Sequence, residues 1–249
     1  MSYGKIKTII ISAAIIIIIA AFANFIINQE RKKDFSDLTD TTQTQSTETT
    51  ITQTTQPPTT KVDKTQWNLI LVNSDNYVPE NYEVNLTQLK NGQAVDERCY
   101  EDLQKMMDDC RAEGLEPVIC SAYRTNKKQT ELYNRQVDKW KAKGYSDSKA
   151  RLEAGKLVAI PGTSEHQLGL AVDIVDMSYQ LLDENQENTA VQKWLMQNSW
   201  KYGFILRYPT DKREITKITY EPWHYRYVGK DAAKEIFDSG LCLEEYLNQ

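Results

Sequence analysis

The chain has 249 residues, a net charge of −5 and a pI near 5.3, with 40% hydrophobic and 26% charged residues and a mean hydropathy of −0.59. This acidic balance argues against a nucleic-acid binder held by a basic surface, and four cysteines are too few for a disulfide scaffold. No repeat of roughly 20–50 residues is present, which excludes solenoids and propellers.

From Thr8 to Ile27 there are 20 residues without a charge, including the run Ile15 to Ile19. As a helix this stretch would cover ~30 Å, the thickness of a bilayer's hydrocarbon core. Lys5 and Lys7 precede it as a short positive region, and Ala21-Phe22-Ala23 offers a small-x-small cleavage site. Its length favours an uncleaved single-pass anchor over a signal peptide, with the C-terminal part outside, although Arg31-Lys32-Lys33 on the far side weakens the charge argument. Residues 41–60 hold 11 Thr and 4 Gln with a single aliphatic residue, Ile51. Such a segment buries too little to offset its ordering entropy, and a 29–66 linker would span ~35 Å as a flexible coil. The expected organisation is an anchor or signal peptide over 1–28, a Thr/Gln-rich linker over 29–66 and one folded domain over 67–249.

Within that domain, Trp67 to Val72 reads as a short buried strand or extended segment. Cys99, Leu103, Met106, Met107 and Cys110 recur at helical spacing, predicting an amphipathic helix over 97–113 that Gly114 ends. Cys99 and Cys110 then lie ~16 Å apart along the axis, too far to bridge. They read as core residues, and a pairing of Cys120 with Cys242 is left open. Further helices are predicted over 126–143, 147–157, 189–201 and 230–239. Strands are predicted over 170–175, 203–208 and 218–227, the last containing Pro222. Helices and strands mix without regular β-α-β alternation, so the fold class is α+β.

The polar residues that could carry chemistry gather at the ends of these elements. They are Ser121-Ala122-Tyr123-Arg124, the run from Ser164 through His166 to Asp173, and Glu221-Pro222-Trp223-His224. His166 and His224, the only two histidines, both sit close to carboxylates. Catalytic zinc takes three protein ligands from His and carboxylate and keeps one position open. His166, Asp173 and His224 would provide two nitrogens and one oxygen, with Asp176 and Glu165 as alternative ligands. Glu221, three residues from a ligand, would then be placed to move protons for a peptide hydrolysis. Gly169 and Ala171 permit close backbone approach between the ligands.

The pattern S-x-H-x-x-G-x-A-x-D (Ser164, His166, Gly169, Ala171, Asp173), followed by E-x-W-H at Glu221 to His224, resembles the VanY-type D-alanyl-D-alanine carboxypeptidases. The wider group takes in peptidoglycan L,D-carboxypeptidases and, more distantly, VanX-type dipeptidases and the hedgehog fold. S-x-Y-R at Ser121 to Arg124, the stretch Tyr202 to Pro209, and Val72, Asn73, Pro79 and Tyr82 match as well, so the resemblance covers about 68 to 240. It implies a single zinc-peptidase domain with a small antiparallel sheet flanked by helices. It implies Zn2+ on His166, Asp173 and His224, Glu221 as catalytic base, and Arg124 facing the scissile carbonyl to stabilise the oxyanion. Gln129, Ser164, Tyr208 and Trp223 would line the substrate.

The implied reaction removes the C-terminal D-alanine from peptidoglycan stem peptides. The expected chain is a membrane-tethered enzyme with a monomeric, extracellular catalytic domain and no nucleic-acid partner. An L,D-carboxypeptidase trimming tetrapeptide stems is the near alternative, because one sequence does not reveal the pocket shape that reads stereochemistry. A non-catalytic zinc-containing wall-binding or signalling module is the alternative from another class. Ser146-Asp147-Ser148-Lys149 and Ser74-Asp75-Asn76 imitate the motifs of serine carboxypeptidases, but in reversed order and without K-T-G.

Overall fold

The computed structural model describes residues 62–249. The expected anchor and most of the expected linker lie outside the described residues. Among the described residues no helix is long and apolar enough to cross a membrane.

The order of residue types along two strands explains the architecture. In β6 (His224–Tyr227) and β4 (Ala171–Asp176) successive side chains point to opposite faces of the sheet. Tyr225, Tyr227, Val172 and Ile174 therefore join one apolar cluster, while His224, Arg226 and Asp173 are turned to the other face. Four strands, β3 (Pro117–Ser121), β4, β5 (Phe204–Leu206) and β6, form an antiparallel sheet in the order β3-β4-β6-β5. A separate hairpin pairs β1 (Leu86–Gln88) with β2 (Ala94–Asp96).

The apolar face is covered by α1 (Tyr100–Ala112), through Leu103, Met106 and Met107, and by α4 (Ala190–Asn198), through Val191 and Leu195. Ile205 and Val228 pack instead with α6 (Lys230–Ser239) and α7 (Leu243–Leu247) in a second cluster. A satellite cluster joins α2 (Asn126–Ala142) to α3 (Asp147–Gly155) through Tyr133, Val137, Ala150 and Ala154. The short α5 spans Arg213–Thr216. The described residues form one compact unit, and α+β is the class observed.

Several sequence expectations are corrected. The stretch 67–72 is not a strand: Trp67–Leu69 is a 3₁₀ turn, and the carbonyls of Asn68 and Ile70 accept from the Arg226 guanidinium instead of a neighbouring strand. The strand expected over 218–227 starts only at His224. Pro222 has no N–H to give a ladder, and Thr219 donates from its backbone N–H and its hydroxyl to the Lys156 carbonyl, away from the sheet. The domain does not begin at Trp67, because Val62 already packs on the second cluster and Lys64 donates to the Tyr246 carbonyl. All four cysteines are free, with Cys120 exposed and Cys242 buried. Ser146, which imitates a serine nucleophile, caps α3 by accepting from the Lys149 N–H.

Candidate active site

Strand register brings the first two polar partners together. Asp173 of β4 lies directly opposite His224 of β6, and Ser121 of β3 lies opposite Asp173 on the other side. Residues facing each other across antiparallel strands have Cβ atoms ~4.5–5.5 Å apart, close enough to share one ion. His166 arrives from outside the sheet on the 3₁₀ turn Glu165–Leu168. Gly169 ends that turn at φ +73°, and a Cβ there would meet the Asp96 backbone nitrogen at 2.9 Å. Only glycine lets the chain reverse so tightly into β4.

The ring orientations decide what the cluster can hold. His166 Nδ1 lies 2.7 Å from the Ala122 carbonyl, which can only accept, so Nδ1 carries the proton and Nε2 presents a lone pair. That lone pair faces Asp173 Oδ2 at 3.3 Å. His224 turns Nε2 to Glu165 Oε2 at 3.4 Å and Nδ1 to Asp173 Oδ1 at 3.1 Å. Donor atoms of the three residues lie within 4.8 Å of one another, all buried. Two donors on a tetrahedral zinc with bonds of ~2.0–2.1 Å stand ~3.3–3.4 Å apart. Each imidazole stands near that distance from an Asp173 oxygen, at 3.3 and 3.1 Å, so the donor set fits zinc in number and type.

Electrostatics agree with a site built for a cation. Burial, followed by the Arg124 charge, pushes His166 down to about 4. Burial opposes the charged form of His224 as well, but the bonds to Asp173 and Glu165 outweigh it and raise that ring to about 9.

Glu221 stands at the mouth with Oε2 3.7 Å from His224 Nδ1, and burial raises its carboxyl to about 8. Its N–H donates to the Tyr208 carbonyl and its own carbonyl accepts from the His224 N–H, which locks the Glu221–His224 turn. Arg124 donates to Ser121 Oγ at 2.9 Å, Gln129 Oε1 at 3.2 Å and Asp173 Oδ2 at 2.6 Å. Its N–H donates to the His166 carbonyl. The guanidinium is thus fixed against the metal cluster while its side chain remains 18% exposed toward the cavity.

These residues line a cavity of about 430 Å³ together with Ser164, Tyr208 and Trp223. Gln129 also borders it, but its amide N–H donates to the Ala159 carbonyl while its oxygen serves Arg124. Gln129 is thus anchored at both ends of its amide and orients Arg124 from the cavity wall. The Tyr208 and His224 ring centres are 4.8 Å apart.

Two alternative ligands are excluded by position. Asp176 is occupied by Ser178 and the Val191 N–H, and Glu165 lies behind His224, at the ring nitrogen turned away from Asp173. Sequence reasoning missed the wall along α2, where Leu132, Arg135, Gln136 and Lys139 extend the cavity beyond Gln129. The spacing of 129, 132 and 136 on one helical stripe was the available signal, of which only Gln129 was assigned to the substrate. Arg207 and Arg226 beneath the site were also missed.

Residues 92–230 match the family model for VanY, D-alanyl-D-alanine carboxypeptidase. The chain belongs to the VanY family. A VanY-family relative, the D-alanyl-D-alanine carboxypeptidase of Enterococcus faecalis, is 51% identical over 187 residues, covering 75% of this chain and 68% of the relative. The solved structure of VanYB in complex with D-alanine-D-alanine is similar at a TM-score of 0.69 and 51% identity, covering 74% of this chain and 99% of that one. A VanY D,D-pentapeptidase from the VanB-type resistance cassette, in complex with Zn(II), is similar at a TM-score of 0.68 and 50% identity, covering 74% and 100%.

Proposed function

We propose that this VanY-family chain is a zinc-dependent D-alanyl-D-alanine carboxypeptidase that removes the C-terminal D-alanine from peptidoglycan stem peptides. The observation that carries the reading is the convergence of His166 Nε2, His224 Nδ1 and the Asp173 carboxylate at ligand spacing, in a cavity that also presents Glu221 and Arg124. Zinc held by these three residues supplies a Lewis acid that polarises the scissile carbonyl and makes water easier to deprotonate.

The chain's own residues do the rest. Arg124, oriented by Ser121 and Gln129, directs its guanidinium at the carbonyl oxygen, where negative charge develops in the tetrahedral transition state. Glu221 takes a proton from the attacking water and delivers it to the departing amine of D-alanine. Glu221 lines the cavity beside the cluster, and the proton it takes in the first transfer is the one it delivers in the second. Ser164 and Trp223 line the cavity beside the reacting centre, and Tyr208 packs at a tilt against His224 in the same wall.

The apolar stretch Thr8–Ile27 and the Thr-rich segment behind it support a tethered arrangement. In it, residues 1–28 anchor the chain and the following linker lets a monomeric catalytic domain work at the outer membrane surface. The test is to incubate residues 59–249 with stem pentapeptide and tetrapeptide separately, with and without a zinc chelator. Chelator-sensitive loss of one alanine from pentapeptide alone is the expected result. Cleavage of tetrapeptide moves the assignment to L,D activity, and a folded, zinc-loaded protein that cleaves neither is a binding module.

A further inference from the structure

Behind the three converging side chains lies a largely buried charged network. Glu165 is 1% exposed and sits between two fully buried arginines. Its Oε1 accepts from Arg207 Nε at 2.7 Å and from an Arg226 terminal nitrogen at 2.8 Å. Arg207 makes a bidentate pair with Glu244 of α7 at 2.6 and 2.8 Å, and Asn73 donates to the same carboxylate. Arg226 donates onward to the carbonyls of Asn68 and Ile70. With Oε1 saturated by two guanidiniums, Oε2 is left to face His224 Nε2 at 3.4 Å. Among the described residues this is the one partner of that ring nitrogen.

We infer that Glu165 is a positioning residue for the metal centre: it accepts the His224 Nε2 proton and thereby commits Nδ1 to the ion, with the two arginines holding it in place. The inference rests on the zinc-peptidase reading above. A ligating imidazole whose other nitrogen is bound to a carboxylate is fixed in tautomer and angle and made more basic, and loss of such a partner lowers metal affinity or activity about 10–100-fold. The arrangement differs at His166, whose outer nitrogen meets only a neutral carbonyl. It also gives the distant network a task. The 67–70 segment and α7 hold Arg226 and Arg207, and those side chains brace a single carboxylate against the metal ligand on β6.

The test compares Glu165→Gln with Glu244→Gln in the full chain. Zinc dissociation constants would be measured by chelator competition, folding by circular dichroism, and kcat and KM at saturating zinc. Glu165→Gln is expected to weaken zinc binding about 10–100-fold and to lower kcat with KM held. Glu244→Gln, one link further away, is expected to lower stability while keeping wild-type zinc affinity. If Glu165→Gln proves unfolded, ¹H–¹⁵N correlation of the zinc-loaded wild type decides the matter, since only two histidines need assignment. His224 should then carry its proton on Nε2. A folded Glu165→Gln with wild-type zinc affinity and kcat overturns the inference, as does equal loss of affinity in both variants or an Nδ1-protonated His224. A wild type that binds zinc but releases no alanine removes the activity reading and leaves the zinc comparison able to decide on Glu165.

Discussion

Replacing Gly169 with alanine perturbs the turn that separates two of the proposed metal ligands, His166 and Asp173. The residue adopts φ +73°, where an L side chain costs about 1–2 kcal/mol. Its Cβ would also lie 2.9 Å from the Asp96 backbone nitrogen and 3.2 Å from Val84 Cγ2. The first of these neighbours is backbone and is tied to the same turn, because the Asp96 N–H donates to the Gly169 carbonyl at 2.9 Å. Relief must therefore come from moving β2 or the turn, for a further penalty of about 1–2 kcal/mol. The sum is about 2–4 kcal/mol of stability, or a melting shift of about 5–15 °C for a domain of this size. The same displacement misaligns His166, so zinc affinity should fall in parallel. Urea denaturation with and without zinc, followed by chelator competition, reads both effects. A variant within about 0.5 kcal/mol of wild type, with unchanged zinc affinity, would refute the close-approach argument.

Glu221→Gln removes the proton carrier but none of the three metal donors, so zinc should stay bound while kcat on stem pentapeptide drops about 10²–10⁴-fold; unchanged turnover would take Glu221 out of the mechanism. Gln129→Ala frees Arg124 from one of its orienting contacts and should lower kcat more than it raises KM, whereas a pure KM effect would return Gln129 to substrate binding. His166→Ala leaves two donors and should abolish zinc retention after dialysis, as read by metal analysis; retention at wild-type stoichiometry would displace His166 from the ligand set. The pH dependence of stability follows from Glu244. Burial raises its pKa, but Arg207 outweighs burial and holds it below the usual 4.5 in the folded state. The carboxylate therefore contributes stability that is present above the unfolded value and lost as pH falls through the folded one. Denaturation midpoints should decline below about pH 4.5, and Glu244→Gln should flatten that decline; an identical acid limb in the variant would show that other groups carry it.

The residues that converge in the candidate site were legible in the sequence for chemical reasons. His166 and His224 are its only histidines, each sits near acids, and the spacing from His166 through Gly169 to Asp173 fits a turn feeding a strand. The helices of 100–112, 126–142 and 230–239 were equally legible, because an apolar stripe recurring every three or four residues is a local property of the chain. The hairpin β1–β2 carried weaker signals, being two strands of three residues each, one of them fully buried and thus without alternation.

What the sequence determined by itself is the inventory: an α+β domain, one triad of donors, one free carboxylate and one arginine in order along the chain. Its tertiary structure decided which ring nitrogens of His166 and His224 face Asp173, that Gln129 accepts from Arg124, and that Glu165 stands behind His224 at its other ring nitrogen. It also decided that 67–72 yields its carbonyls to Arg226 and that Pro222 delays the last strand until His224. Apart from the Arg124–Gln129 contact, five residues apart, each of these outcomes depends on a partner more than 25 residues away or on the absence of a backbone donor at one position. Composition and periodicity register neither, because a hydrogen bond between distant segments leaves no local pattern in either of them.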